Sequence, residues 1–256
     1  MKSLIVNADD LGRSAGIDAG IARAHREGIV TSATLMTNGP GAEGGGAVAR
    51  ENPDLGVGVH LVLTYGRPLS DPATVPSLVE PDGGFPVKAS AVIGRGRVRT
   101  DEVLREYRAQ LERARELIGR EPTHVDTHHW VQEEPGVFTA FLELARESGL
   151  AARPLNDAER ERLRAAGVRT PDRYVREFQH PRAIDVAALL ALLELIAAAG
   201  DGATELMCHP GEPDPELERT SAYAVARPVE LATLTDPAVR AKVRELGFQP
   251  ITYGDL

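Results

Sequence analysis

Four places in this chain set an acidic or imidazole side chain at the end of a short apolar run. Asp9-Asp10 follows Leu4-Ile5-Val6, His60 closes Val57-Gly58-Val59, His128 closes the run from His124, and His209 closes Leu206-Met207-Cys208. Runs of this length and composition read as buried strands. In a parallel β/α architecture the carboxyl ends of different strands converge on one face, where ligands bind. Asp10, His60 and His128 together offer one carboxylate oxygen and two imidazole nitrogens, with positions left for water and substrate. That set suits zinc, cobalt, manganese, iron or nickel. Magnesium fits less well, because it prefers an all-oxygen shell. Strand alternation puts His124, Asp126 and His128 on one face, which makes Asp126 a candidate to orient the His128 ring.

Two adjacent aspartates cannot both point at one ion from a regular strand. In looser backbone after the strand, Asp10 can ligate while Asp9 holds a water and takes its proton. Either could instead cap the helix that follows. His209 enters a Pro210-Gly211 turn, which fixes it on the rim opposite Asp9. With an ordinary pKa of about 6.5 it is suited to protonate a leaving group near neutral pH. Trp130 offers a flat apolar face that either stacks on a ring of the substrate or packs into the protein.

These residues need a scaffold, and the rest of the chain reads as one. Ile17, Ile21 and Ala24 recur at helical spacing, with Gly28 as a left-handed stop. Ser32–Met36, Val57–Leu61, His124–His128, Leu206–Cys208 and Gln249–Thr252 read as further strands. Helices are predicted over 101–118, 137–144, 186–199 and 239–246, with Asp101 and Asp185 as caps and Gly119 and Gly149 as stops. Repeated βα units imply a mainly parallel sheet, open or closed. The Pro- and Gly-rich stretch 68–97, with hairpin-turn residues at 79–85, reads as a flap near the site. Gly39–Gly46 lacks the Lys-Ser/Thr of a phosphate loop and the spacing of a dinucleotide fold.

Composition narrows the function classes. The 256 residues carry 29 Lys and Arg against 38 Asp and Glu, a net charge of −9, which disfavours nucleic acid and anionic membranes. A lone Cys208 excludes an intramolecular disulfide framework and a multi-cysteine zinc cluster. The longest apolar stretch, 186–199, contains Glu194 and is too short to span a bilayer. Asp9 and Asp10 interrupt any signal-peptide core. The expectation is a soluble, cytoplasmic protein formed as a single domain over residues 1–256.

Several blocks, in order, resemble the YdjC-like carbohydrate deacetylases. They are Asn7-Ala8-Asp9-Asp10-Leu11-Gly12 and Gly28-Ile29-Val30-Thr31-Ser32, then Gly56-Val57-Gly58-Val59-His60-Leu61. Pro122-Thr123-His124-Val125-Asp126-Thr127-His128-His129 and Glu205-Leu206-Met207-Cys208-His209-Pro210-Gly211 follow. The resemblance implies a distorted TIM-like β/α barrel related to polysaccharide deacetylases. It also implies metal-dependent removal of an N-acetyl group from an amino sugar, as in chito-oligosaccharides. By matching position, Asp10, His60 and His128 become metal ligands, Asp9 the general base and His209 the general acid. Arg153 in Ala152-Arg153-Pro154 falls where an arginine orients the base or the substrate. The resemblance further suggests magnesium as the ion and a homodimer as the assembly.

Three departures from the family pattern bear on the substrate. Val62 stands where members carry Asn, and His129-Trp130-Val131-Gln132 is poorer in histidine than usual. Gly44-Gly45-Gly46 replaces good helix formers, so that helix is expected to fray. Two rival readings compete. Two histidines and a carboxylate, with His124-Val125-Asp126, also fit a non-haem iron oxygenase, although such sites commonly sit on all-β jelly rolls. A silent sugar-binding homologue would keep the fold without turnover.

Overall fold

Alternation of apolar runs with amphipathic segments builds eight strands and nine α-helices among the described residues. The computed structural model describes residues 1–94, 96, 98–179 and 182–256. Arg95 and Arg97, at the end of the predicted flap, and His180 therefore lie outside the described residues. The chain starts β1 (Lys2–Leu11), α1 (Ala15–Glu27), β2 (Ser32–Leu35), α2 (Ala42–Glu51), β3 (Gly56–Leu61) and α3 (Thr100–Ile118). It continues β4 (His124–Thr127), α4 (Pro135–Ser148), β5 (Ala151–Ala152), α5 (Asp157–Ala165), β6 (Arg173–Val175) and α6 (Val186–Ala198). The last elements are β7 (Gly202–Cys208), α7 (Pro215–Thr220), α8 (Arg227–Leu234), α9 (Pro237–Glu245) and β8 (Gln249–Pro250).

Every strand pair is parallel, in the order β5-β4-β3-β2-β1-β7-β6. β7 follows one side of β1 from Lys2 to Ala8, so β8 takes the lower part of the other side, at Ser3 and Leu4. No ladder joins β5 to β6 among the described residues, and the sheet is a half-closed α/β barrel with a TIM-like course. The apolar core lies where helices cover the sheet, for example Val6, Leu35, Val59, Ile17, Tyr107 and Leu144. The barrel interior is polar instead. Glu205, Arg153, Asp126 and His124 are buried there, with the His124 ring stacked 3.8 Å from that of Tyr253.

Gly119 and Gly149 end α3 and α4 in the left-handed region, and the Asp185 side chain caps α6, as their sequences predict. Gly28 ends α1 at φ −112, outside the left-handed region. It is small because a Cβ there would meet the Ala24 and Leu234 carbonyl oxygens at 2.5 Å. Asp101 lies in the first turn of α3 and Arg99 takes the cap position, since helical backbone already starts at Thr100. The Gly44-Gly45-Gly46 helix does not fray. It is the continuous α2, and its glycines admit close backbone approach: a Cβ on Gly45 would lie 2.7 Å from Gly12 N, and one on Gly46 2.7 Å from Leu117 O.

Between β3 and α3 the long connection contains two short 3-10 turns, Pro72–Thr74 and Ala89–Ala91. The expected 79–85 turn forms, with the Gly83 and Glu80 amides bonded to Glu80 O and Gly84 O at 2.8 Å, but no strands flank it. Its lower part is held by one polar face of α3. Gln110 bonds both main-chain groups of Val62, Glu106 accepts from the Leu69 and Ser70 amides, and Glu102 accepts from the Ser77 amide. Residues four apart on a helix share a face, so residues 62–77 of this connection are anchored by a single edge of α3.

The α2 glycines generate a direct test. Gly45→Ala should force α2 away from the Gly12 turn and cost about 1–3 kcal/mol, as overpacking does. Urea denaturation reads this out, and an unchanged midpoint would show that α2 is free to move.

Candidate active site and metal centre

β1 shapes the site through a bulge. Its register with β2 runs Asn7 to Ser32 and Ala8 to Ala33, then jumps to Leu11 against Leu35. Three steps on β1 therefore face two on β2, and Asp10 takes φ +73, a conformation that L residues seldom adopt. The extra residue lets neighbouring side chains escape strand alternation. Asp9 and Asp10 thus lie within β1, not in looser backbone after it, and both are buried at its carboxyl end. Neither caps α1, because the Ser14 hydroxyl accepts from Ile17 N.

Asp10 meets the two predicted imidazoles. Its Oδ1 lies 3.5 Å from His60 Nε2 and 3.1 Å from His128 Nδ1, while those two nitrogens are 3.2 Å apart. The three form a buried group able to hold a metal ion. Among the described residues Asp10 Oδ1 is buried without a hydrogen-bond partner, an orphan acceptor that a cation would satisfy. The donors and the orphan oxygen fit a divalent ion. A second trio, Asp9, His60 and Asp126, is also close enough. Its carboxylates are already taken by Arg153, so it makes no comparable site.

Asp126 corrects the sequence expectation. It pairs in register with His60 across β3 and β4, and His60 Nδ1 donates to its Oδ1 at 2.7 Å. His128 stands beyond the strand end, as the first residue of a 3-10 turn (His128–Glu133). Asp126 therefore orients the His60 ring, leaving Nε2 to face Asp10. Burial works against a charge on His60, but Asp126, Asp9 and Asp10 hold its pKa up at about 9. Burial pushes His128 down to about 4.

Arg153, just past β5, reaches across the interior. It donates to Asp9 from Nη1 (2.8 Å) and Nη2 (2.7 Å), to Asp126 Oδ2 at 2.7 Å and to Glu205 Oε1 at 2.8 Å. Burial raises the Asp9 pKa, yet this guanidinium outweighs it and holds the carboxyl well below its usual range. Asp9 Oδ1 also accepts from Asn7 at 2.9 Å. Glu205 is pushed up to about 7 by burial and in turn accepts from the Tyr253 hydroxyl.

His209 lies on the cavity wall, and its backbone N–H donates to Glu230 at 2.5 Å. Burial lowers its pKa to about 4. The cavity measures about 870 Å³ and includes Asp9, Asp10, His60, His128, His209 and Trp130 among its lining. His129 and Trp130 follow His128 at φ 57 and 53, and Arg176 lies 4.8 Å over the Trp130 ring. Such left-handed non-glycine residues store strain where a site over-determines the backbone. Val87 to Ser90 of the 68–97 segment also line the cavity, whereas Val62 does not and is wholly buried.

Arg13, Arg227 and Glu230 escaped the sequence reading. Arg13 Nη1 lies 3.5 Å from His128 Nε2, and Arg227 donates to Asp10 Oδ2. Arg227 and Glu230 sit one turn apart on α8, a helix that the sequence analysis did not predict. The pair His124 and Asp126, which an oxygenase reading would use, faces the barrel interior, with Asp126 committed to His60, Thr34 and Arg153.

A profile described as YdjC-like protein matches residues 3–245. The chain belongs to the YdjC-like family. A carbohydrate deacetylase of Geobacillus stearothermophilus is 45% identical over 97% of this chain and 96% of its own length. A chitooligosaccharide deacetylase of Enterobacter sp. (strain 638) is 37% identical over 100% and 99%. A crystal structure from Enterococcus faecalis V583, named for a proposed cellobiose-phosphate cleavage activity, superposes with a TM-score of 0.90 at 33% identity, covering 99% and 98%. The family 4 carbohydrate esterase of Streptomyces lividans shares only the fold, with a TM-score of 0.55 at 10% identity over 97% and 91%. The polysaccharide deacetylase-like barrel implied by the YdjC-like blocks is the architecture observed.

Glu230 offers a pH test within this YdjC-like site. Burial pushes its pKa up to about 7, against the Tyr223 hydroxyl, the His209 amide and Arg227. A raised carboxyl pKa means that the folded state holds a proton which the unfolded state releases above about 4.5. The stabilising contribution is therefore present at low pH and lost as pH rises toward 7. Relative to Glu230→Gln, the wild type should lose about 3 kcal/mol between pH 4.5 and 8. Parallel urea midpoints for the two proteins across that window would contradict this.

Proposed function

We propose that this YdjC-like chain is a metal-dependent carbohydrate N-deacetylase that hydrolyses the acetamide of an N-acetylated amino sugar of the chito-oligosaccharide type. The observation that carries this reading is the convergence of Asp10, His60 and His128 on one orphan carboxylate oxygen. The convergence lies in a cavity that also holds Asp9 and His209, in a family whose curated relatives are named carbohydrate and chitooligosaccharide deacetylases. The nitrogen-rich donor set favours zinc, manganese or cobalt over the magnesium suggested by family resemblance. A divalent ion bound there supplies Lewis acidity, lowering the pKa of a water and polarising the acetamide carbonyl.

The chain's own residues do the rest. Asp9 takes the proton of the attacking water through Oδ2, which among the described residues accepts from Arg153. Arg153 and Asn7 hold that carboxylate in one orientation. His209, on the wall of the same cavity, gives a proton to the departing amine, and the proton that Asp9 takes from water restores the balance over the turnover. Trp130 presents its ring edge and remaining face to the sugar, and 68–97 serves as a flap through Val87 to Ser90. The sugar amine and acetate leave as products.

Acetate release from N-acetylated chito-oligosaccharides tests this. Activity should vanish with chelator, return with added zinc, manganese or cobalt, and fall at least 100-fold in His60→Ala, His128→Ala and Asp9→Asn. Stoichiometric metal without acetate would mean a different substrate. Absence of metal binding would end the reading.

A further inference from the structure

One oxygen of Asp10 is already spoken for. Arg227, at the start of α8, donates from Nη2 to Asp10 Oδ2, with both side chains almost completely buried. The other oxygen, Oδ1, is the one that faces His60 Nε2 and His128 Nδ1. Arg227 is itself fixed in place. Gly211 packs so tightly on its stem that a Cβ would lie 3.1 Å from Arg227 Cβ and 3.2 Å from Cδ, and the Gly211 amide donates to Arg227 O at 3.3 Å. The guanidinium carbon lies 5.6 Å over the Tyr223 ring. Arg13 adds a second cation, 3.5 Å from His128 Nε2.

A carboxylate free at both oxygens can chelate a divalent ion through both. With Oδ2 committed, Asp10 presents a single oxygen. A fixed positive charge beside a ligand also opposes the approach of a cation and leaves less negative charge to neutralise it once bound. We propose that Arg227 is a positioning residue that restricts Asp10 to one-oxygen ligation, weakening the hold on the ion while keeping that ion strongly electron-withdrawing. The inference rests on the metal-dependent reading of the site, and it differs in sign from a structural role. An arginine that merely props Asp10 in place would, when removed, weaken metal binding. An arginine that restrains the ligand would, when removed, strengthen it.

The test is calorimetric titration of the metal-free protein with Zn²⁺ and with Mn²⁺, alongside acetate release. Arg227→Gln keeps a hydrogen-bond donor and loses the charge; it should bind metal about tenfold more tightly and lose at least tenfold in kcat. Arg227→Met fills the same space and serves if the Gln variant does not fold. Arg227→Lys keeps the charge and should hold its metal affinity within about threefold of wild type. Metal binding that is unchanged or weaker in the neutral variants overturns the proposal. The titration needs no substrate, so a wild type that binds metal but releases no acetate would refute the deacetylase reading and leave the affinity comparison to decide the role of Arg227.

Discussion

A guanidinium sealed from water must be surrounded by acceptors, and the interior of this barrel is organised around meeting that demand for Arg153. Its donors reach Asp9, Asp126 and Glu205, on β1, β4 and β7, so one side chain ties three separate strands. A buried ion pair is at best weakly stabilising, whereas losing one partner leaves an uncompensated charge and costs several kcal/mol. The network is better read as a device for position. Asp9 cannot rotate without abandoning Arg153, and Asp126 cannot move without releasing both Arg153 and the His60 ring. Asp9 and the His60 ring are thereby held by the same cation.

The network also explains how the barrel can be polar inside. Tyr253, at the far end of the chain, gives its hydroxyl to Glu205 and stacks on His124. It brings the C-terminal residues into the interior, and β8 pairs with β1 just before them. An apolar filling would pack as densely, but it would offer no donors to fix two carboxylates and an imidazole at the upper rim. Burial raises Glu205 to about 7, which eases the excess of acid over base around Arg153.

The bulge at Asp9 and Asp10 does comparable work for the backbone. One added residue breaks the alternation of β1 and admits two consecutive acids to the same cavity, one on Arg153 and one beside the histidines. The tight approach of Gly12 to α2 and the chain of strained residues after His128 show that the neighbouring backbone is held by packing on all sides. Such strain persists only where tertiary structure over-determines it.

By itself the sequence determined the residue types and their places at strand ends. Asp9, Asp10, His60, His128 and His209 were legible because apolar runs mark strands and a parallel order brings their carboxyl ends together. The glycine stops at 119 and 149 and the Asp185 cap were legible for the same local reason. Tertiary structure decided what those side chains do to one another. Asp126 serves His60 because the β3–β4 register sets them side by side, and register is a property of two distant segments. Arg227 reaches Asp10 across 217 positions of chain. The α2 glycines look like helix breakers until Gly12 and Leu117 are seen pressed against them. Local periodicity carries no record of such pairings, because they arise only when the sheet brings remote backbone into contact.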